Sequence, residues 1–62
     1  MATLNEFIKH YNPTNIQLIF GDHIVNIDRR CKGSAALIKY LGEIKFDFDL
    51  HDEGTSYLRL HY

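Results

Sequence analysis

The stretch 16-IQLIFGDHIVNID-28 predicts a β-hairpin. Two runs rich in β-branched and aromatic residues flank Gly21-Asp22, and glycine at the first of two turn positions is typical of a two-residue hairpin turn. Because side chains alternate between the faces of a sheet, this turn determines every cross-strand neighbour. The predicted pairs are Phe20–His23, Leu18–Val25 and Ile16–Ile27 on one face, and Gln17–Asn26 and Ile19–Ile24 on the other.

A second hairpin is predicted in the last third of the chain. Apolar and polar residues alternate from position 44 to 51, and again from 57 to 62, which is typical of half-buried strands. The loop between the two runs would span residues 52–56. The predicted pairs are Phe48–Leu60 and Leu50–Leu58 on the apolar face, and Asp49–Arg59 and Asp47–His61 on the polar face.

Two short helices are predicted beside the hairpins. Thr3 and Glu6 form a capping-box pattern, which predicts that a helix begins there. Pro13 disfavours helical geometry at the residue before it, so this helix should end at Asn12. A second helix is predicted over residues 35–41, with Ser34 as its N-cap and Gly42 at its C-terminus. The alternative for residues 35–41 is a strand that ends in a hairpin turn over residues 41–44. We favour the helix, because the strand would put Lys39 beside Phe46 on the apolar face.

Size and composition indicate one small globular domain over residues 1–62, with 45% apolar residues and a net charge of −1. The predicted fold class is α+β in the order α-β-β-α-β-β, an antiparallel sheet of two hairpins with short helices packed on one face. A core this small supplies about 3–5 kcal/mol. The single cysteine, Cys31, and the lack of a signal-peptide or membrane-span pattern predict a cytoplasmic protein without a membrane partner.

The polar face of the second hairpin is the first candidate site. It would gather Asp47, Asp49, His51, Tyr57, Arg59 and His61. Carboxylates and imidazoles on one surface can bind a metal or transfer protons. Cross-strand charge pairing on a solvated sheet explains the same pattern, and Arg59 would repel a cation. We therefore predict no metal, no cofactor and no catalytic residue.

The basic segment, residues 29–39, is the second candidate site. Its four cations are Arg29, Arg30, Lys32 and Lys39, and the first three lie just before a predicted helix N-terminus, which favours anions such as phosphate. Nucleic-acid binding, with Tyr40 stacking on a base, is therefore the alternative function. A solvated, positively charged connector explains the same pattern, and we favour it over the anion site.

The third candidate is an interaction surface. Ile19 and Ile24 lie on the side of the first hairpin opposite its predicted core, so either helices cover them or another chain does. Tyrosines are favoured at protein interfaces, and Tyr40 and Tyr57 join this set. The sequence therefore predicts a non-enzymatic protein-interaction module that self-associates, as a homodimer for example, or that binds and modulates a larger partner.

Overall fold

The computed structural model describes residues 1–62 as two helices and a five-stranded sheet. In chain order the elements are β1 (Ala2–Thr3), α1 (Leu4–Tyr11), β2 (Asn15–Phe20), β3 (His23–Asp28), α2 (Ser34–Leu41), β4 (Lys45–Asp52) and β5 (Tyr57–His61). The strand order is β1-β4-β5-β2-β3. Both helices share one core cluster with the sheet. We call the covered side of the sheet the helix face and the other side the open face.

The first hairpin, β2–β3, has the predicted register. All the pairs named above are present, from Ile16–Ile27 to Phe20–His23. Gly21 has a φ of 58°, a conformation that glycine adopts without the steric cost borne by other residues. The local alternation and the turn glycine therefore determine this hairpin together.

Helix α1 begins at the predicted capping box. The Thr3 hydroxyl accepts a hydrogen bond from the Glu6 amide at 3.2 Å, and the Glu6 carboxylate accepts one from the Thr3 amide at 3.0 Å. The helix ends at Asn12, whose left-handed φ of 48° precedes the buried Pro13. Leu4 anchors the helix in the core and is fully buried.

Residues 35–41 are helical, as favoured, but Ser34 is not the N-cap. The cap position is Gly33, and Ser34 is the first residue of α2. The Ser34 hydroxyl instead donates to the Cys31 carbonyl at 2.8 Å. This bond ties the side chain back into the preceding turn, and no side chain caps the helix amides. Leu41 is buried in the core, and Leu37 packs against it from the edge.

The sheet is mixed, so the prediction of a purely antiparallel sheet was wrong. β2 pairs with β5 in parallel, which places the two hairpins side by side. Ser56 aligns the starts of both strands, because its carbonyl accepts from the amides of Thr14 and Asn15 at 2.9 and 3.1 Å. The predicted order also lacked β1, whose two residues pair with Lys45 and Phe46. Alternation reveals which side chains share a face but not which strands become neighbours.

A β-bulge interrupts the second hairpin. Asp47–His61 and Phe48–Leu60 pair as predicted, but the register shifts between Phe48 and Leu50. One extra residue on the bulged strand places the side chains after the bulge on the face opposite to the one that strict alternation predicts. The predicted pairs Leu50–Leu58 and Asp49–Arg59 are therefore wrong, and Leu50–Arg59 and His51–Leu58 replace them.

The core lies between the helix face of the sheet and the two helices. Its buried apolar members are Leu4, Ile16, Leu18, Ile27, Leu41, Phe46, Leu58 and Leu60. Neither helix has the length and apolar character needed to cross a membrane. With both helices on one side, the other side of the sheet has no element packed on it.

Candidate interaction surface

The open face presents regular rows of side chains from four strands. The registers of β4, β5, β2 and β3 place these residues beside one another in the order of the strands. The three rows are Asp52–Tyr57–Asn15–Asp28, Leu50–Arg59–Gln17–Asn26 and Asp47–His61–Ile19–Ile24. Apart from Leu50, the surface is therefore polar over most of its area, and it is apolar on β2 and β3 at the end nearest their turn.

Ile19 and Ile24 form the apolar end of the open face. Ile24 is 56% exposed, and Ile19 beside it is half-buried. The alternative in which helices cover this pair is wrong, since both helices pack on the helix face. Tyr57 lies on the open face with them, whereas Tyr40 projects from α2 on the other side of the sheet and is 83% exposed. The structure thus brings together three of the four predicted interface residues.

A chain of amide and hydroxyl groups runs through the centre of the open face. The Tyr57 hydroxyl donates to Oε1 of Gln17 at 2.9 Å, and Nε2 of Gln17 donates to Oδ1 of Asn26 at 3.3 Å. These bonds connect β5, β2 and β3 in that order. Side chains already held in place lose less conformational entropy when a partner binds, so this region is preorganised for contact.

Asp49, at the bulge, bonds to two side chains of the open face, Arg59 and His61. Its Oδ2 accepts from Nε of Arg59 at 2.9 Å and from Nε2 of His61 at 2.6 Å. These bonds, Arg59 first and His61 second, hold the pKa of Asp49 below its ordinary value. A carboxylate that is ionised and already bonded in this way is a poor general base. No group of three or more His, Cys, Asp or Glu side chains is placed to hold a metal ion.

The bulge removes His51 from the predicted polar face. Its ring lies on the helix face, 4.4 Å from the ring of Tyr11, which also stacks on Phe48 at 5.8 Å. The same shift turns Leu50 onto the open face, where it is 41% exposed. The prediction had placed Leu50 in the core, because nothing in the alternating sequence signals the bulge.

Two cations of the basic segment have partners inside the chain. Nη1 of Arg29 donates to the Pro13 carbonyl at 2.7 Å and to Oδ1 of Asn12 at 3.0 Å. Arg30 forms two bonds to the Asp28 carboxylate, at 3.0 and 3.1 Å, and these hold the pKa of Asp28 below its ordinary value. The other two cations, Lys32 and Lys39, are exposed and form no ion pair.

The structure therefore assembles one surface from residues that the sequence suggested separately. Ile19, Ile24 and Tyr57 were predicted as interface residues, and Gln17 and Asn26 only as a cross-strand pair. The sequence indicated Gln17 and Asn26 only through their cross-strand pairing. The bond from Tyr57 to Gln17 depends on the parallel β2–β5 contact, which the sequence did not reveal. Comparisons of this chain with protein-family models, with curated proteins and with solved structures found no match.

Proposed function

We propose that this chain is a non-enzymatic protein-interaction module that self-associates, and that docks on a larger partner, through the β2–β3 hairpin. The observation that carries the proposal is the position of Ile24. It is 56% exposed on a strand at the edge of the sheet, on a face that neither helix covers. A small chain with a limited core gains stability from any second surface that removes this side chain from water.

The energetics of the hairpin patch suit association. Fully burying an isoleucine contributes about 1.5–3 kcal/mol, so covering the exposed half of Ile24 contributes roughly 1 kcal/mol per copy. The rows beside it supply a polar rim of amide groups that are already ordered, as interfaces commonly have around an apolar centre. Ile19 and Ile24 would form the apolar centre of the surface that docks on the larger partner, with Gln17 and Asn26 next to it.

The arrangement of titratable groups supports a non-enzymatic role. The cluster around Asp49 on the open face is internally bonded, and Asp49, Arg59 and His61 line none of the pockets of the surface. Catalytic carboxylates are ordinarily tuned by burial in a pocket that also excludes water. The ion pairs here instead neutralise charge on a surface available to a protein.

Analytical ultracentrifugation over a wide range of concentrations tests the proposal. We expect concentration-dependent dimerisation that Ile24→Glu weakens about tenfold or more, because a hydrated carboxylate replaces an apolar side chain on β3, the outer strand of the associating hairpin. Leu50→Glu is the matched control, since Leu50 is similarly exposed on the same face but lies on β4. It should leave association unchanged. A wild-type chain that stays monomeric at every concentration, or equal effects of the two substitutions, would contradict the proposal.

A further inference from the structure

One edge of the sheet is protected against strand addition. β1 pairs only with the first two residues of β4, so from Asp47 onward β4 has no neighbour on that side. This stretch contains the bulge after Phe48 and three aspartates, Asp47, Asp49 and Asp52. Bulges and charged side chains are the devices by which natural proteins discourage pairing at an edge. Two copies meeting here would also place like charges together.

The other edge, formed by β3, lacks these features. β3 pairs with β2 over its whole length without a register shift. It contains no lysine, arginine or proline, and its one formal charge, Asp28, is held by Arg30. An edge that is regular, rich in β-branched residues and without an unpaired formal charge is the type that accepts another strand.

The backbone of β3 presents free hydrogen-bonding groups outward. The Arg29 amide donates to the Thr14 carbonyl at 2.8 Å, which continues the β2–β3 ladder beyond the strand. Bonded and non-bonded pairs alternate in an antiparallel ladder, so the odd-numbered residues of β3 bond to β2. The amide and carbonyl groups of Ile24 and Asn26 therefore point away from β2, and no turn or loop hydrogen bond uses them.

The charges at the two ends of β3 are complementary. Asp22 lies exposed in the turn before the strand and forms no ion pair. The basic residues Arg29, Arg30 and Lys32 lie just after the strand. When two copies of β3 run antiparallel, each Asp22 comes next to the basic turn of the other copy. The surface is therefore complementary to itself, as a two-fold interface requires.

We propose, resting on the self-association proposed above, that two copies pair antiparallel through their β3 edges into one continuous sheet centred on Asn26. This register places Asp22 opposite Arg30 of the second copy and Val25 opposite Ile27 of the second copy. Moving the centre to Val25 would instead set Asp22 against Asp28, so charge favours the register centred on Asn26 over that one. Both open faces then lie on the same side and double the apolar patch offered to a larger partner.

Amide hydrogen exchange at low and high protein concentration tests the edge directly. The amides of Ile24 and Asn26 should exchange freely in the monomer and slow about tenfold or more in the dimer. Val25 and Ile27 provide the internal control, since their amides bond to β2 in both states. A dimer in which exchange at Ile24 and Asn26 does not change with concentration would overturn the β3 assignment.

A charge exchange tests the ends of the interface without touching the strand. Asp22→Lys should weaken dimerisation about tenfold, because it sets like charges together at two symmetry-related positions. Lys32→Glu, in the basic turn next to Arg30, should weaken it in the same sense, and the double variant should recover part of the affinity. Both residues are exposed and have no ion-pair partner, so a folding defect is not expected, and circular dichroism checks this. Two single variants that weaken association without recovery in the double variant would contradict the proposed orientation.

Failure of this inference is distinguishable from failure of the proposed function. Ile19→Lys changes the open face but not the β3 edge, so the dimer should survive it. A dimer that Ile19→Lys abolishes, and that Asp22→Lys does not affect, would show association through the open face and overturn the edge pairing alone. A chain that is monomeric at all concentrations would overturn self-association itself. Binding of a different protein's extended segment to β3 without dimerisation would also overturn the second copy as occupant.

Discussion

Replacing Phe46 with alanine should abolish the fold, whereas the same change at Phe48 should not. The two residues are two positions apart on β4, and the alternating sequence treats them alike. Phe46 is fully buried, with ring centroids of Phe20 and Tyr62 at 5.5 and 6.1 Å. Phe48 is 51% exposed, and its one aromatic neighbour is Tyr11. The two substitutions remove the same side chain from the same strand, so any difference in the free energy of unfolding reports the difference in burial.

The expected magnitudes follow from burial. Truncating a buried phenylalanine costs about 3–5 kcal/mol, because a cavity adds to the lost transfer free energy. A chain of this size has a total stability of about the same amount, so Phe46→Ala should be largely unfolded at 25 °C. Phe48→Ala removes a ring that is already half in water and should cost about 1 kcal/mol. The milder Phe46→Leu should cost about 1–2 kcal/mol and remain measurable.

Urea unfolding followed by far-ultraviolet circular dichroism measures these differences at a concentration where the wild type is monomeric. Phe46→Ala should show no cooperative transition, and Phe46→Leu should unfold at lower urea than Phe48→Ala. A cooperative transition of Phe46→Ala near the wild-type midpoint would refute the placement of this ring in the core. A loss for Phe48→Ala as large as the loss for Phe46→Ala would refute the contrast in burial between these two positions of β4.

Three further predictions concern the ends and surfaces of the fold. Thr3→Ala should lower the free energy of unfolding by about 1 kcal/mol, because it removes the capping hydroxyl, and Thr3→Ser should leave it unchanged. Asp49→Asn should be less stable than wild type at neutral pH. Since the folded pKa of Asp49 is lowered, this difference should persist above the ordinary aspartate pKa of about 4 and shrink as the pH falls through the lowered value, which urea titrations at several pH values would show. Oligonucleotide binding should be undetectable at about 50 mM salt, because side-chain bonds within the chain hold Arg29 and Arg30 and leave Lys32 and Lys39 as the unbonded cations of the basic segment. Salt-sensitive binding lost in Lys32→Glu would instead support the nucleic-acid alternative.

The elements that the sequence predicts best depend on neighbours close along the chain. The capping box needs only Thr3 and Glu6, and both of its bonds form as expected. The first hairpin needs only its alternation and Gly21. Helix α2 was correctly favoured over a strand, although its N-cap was assigned one residue late. In each case the contacts that stabilise the element span fewer than about a dozen residues, so local geometry suffices.

The candidate surface was predictable only in pieces. Ile19 and Ile24 could be recognised as a pair that the first hairpin leaves outside its core. Whether helices or solvent would face them depended on which side of the sheet α1 and α2 pack. The basic segment could be read as a run of charge, but the bonds of Arg29 to Asn12 and Pro13 connect separate parts of the chain. A charge run in a sequence does not reveal which of its members are already paired.

By itself the sequence determined two hairpins, two short helices and the α+β class, because periodicity, capping and turn residues act locally. Only the tertiary structure decided that β2 lies parallel to β5, that β1 joins the sheet, and that β4 bulges at Asp49. Parallel pairing joins segments about forty residues apart, and a period of two specifies the faces of a strand without specifying its neighbour. The bulge carries Leu50 to the open face and His51 to the helix face. Strand order and this one-residue shift therefore determine which side chains are available to a partner.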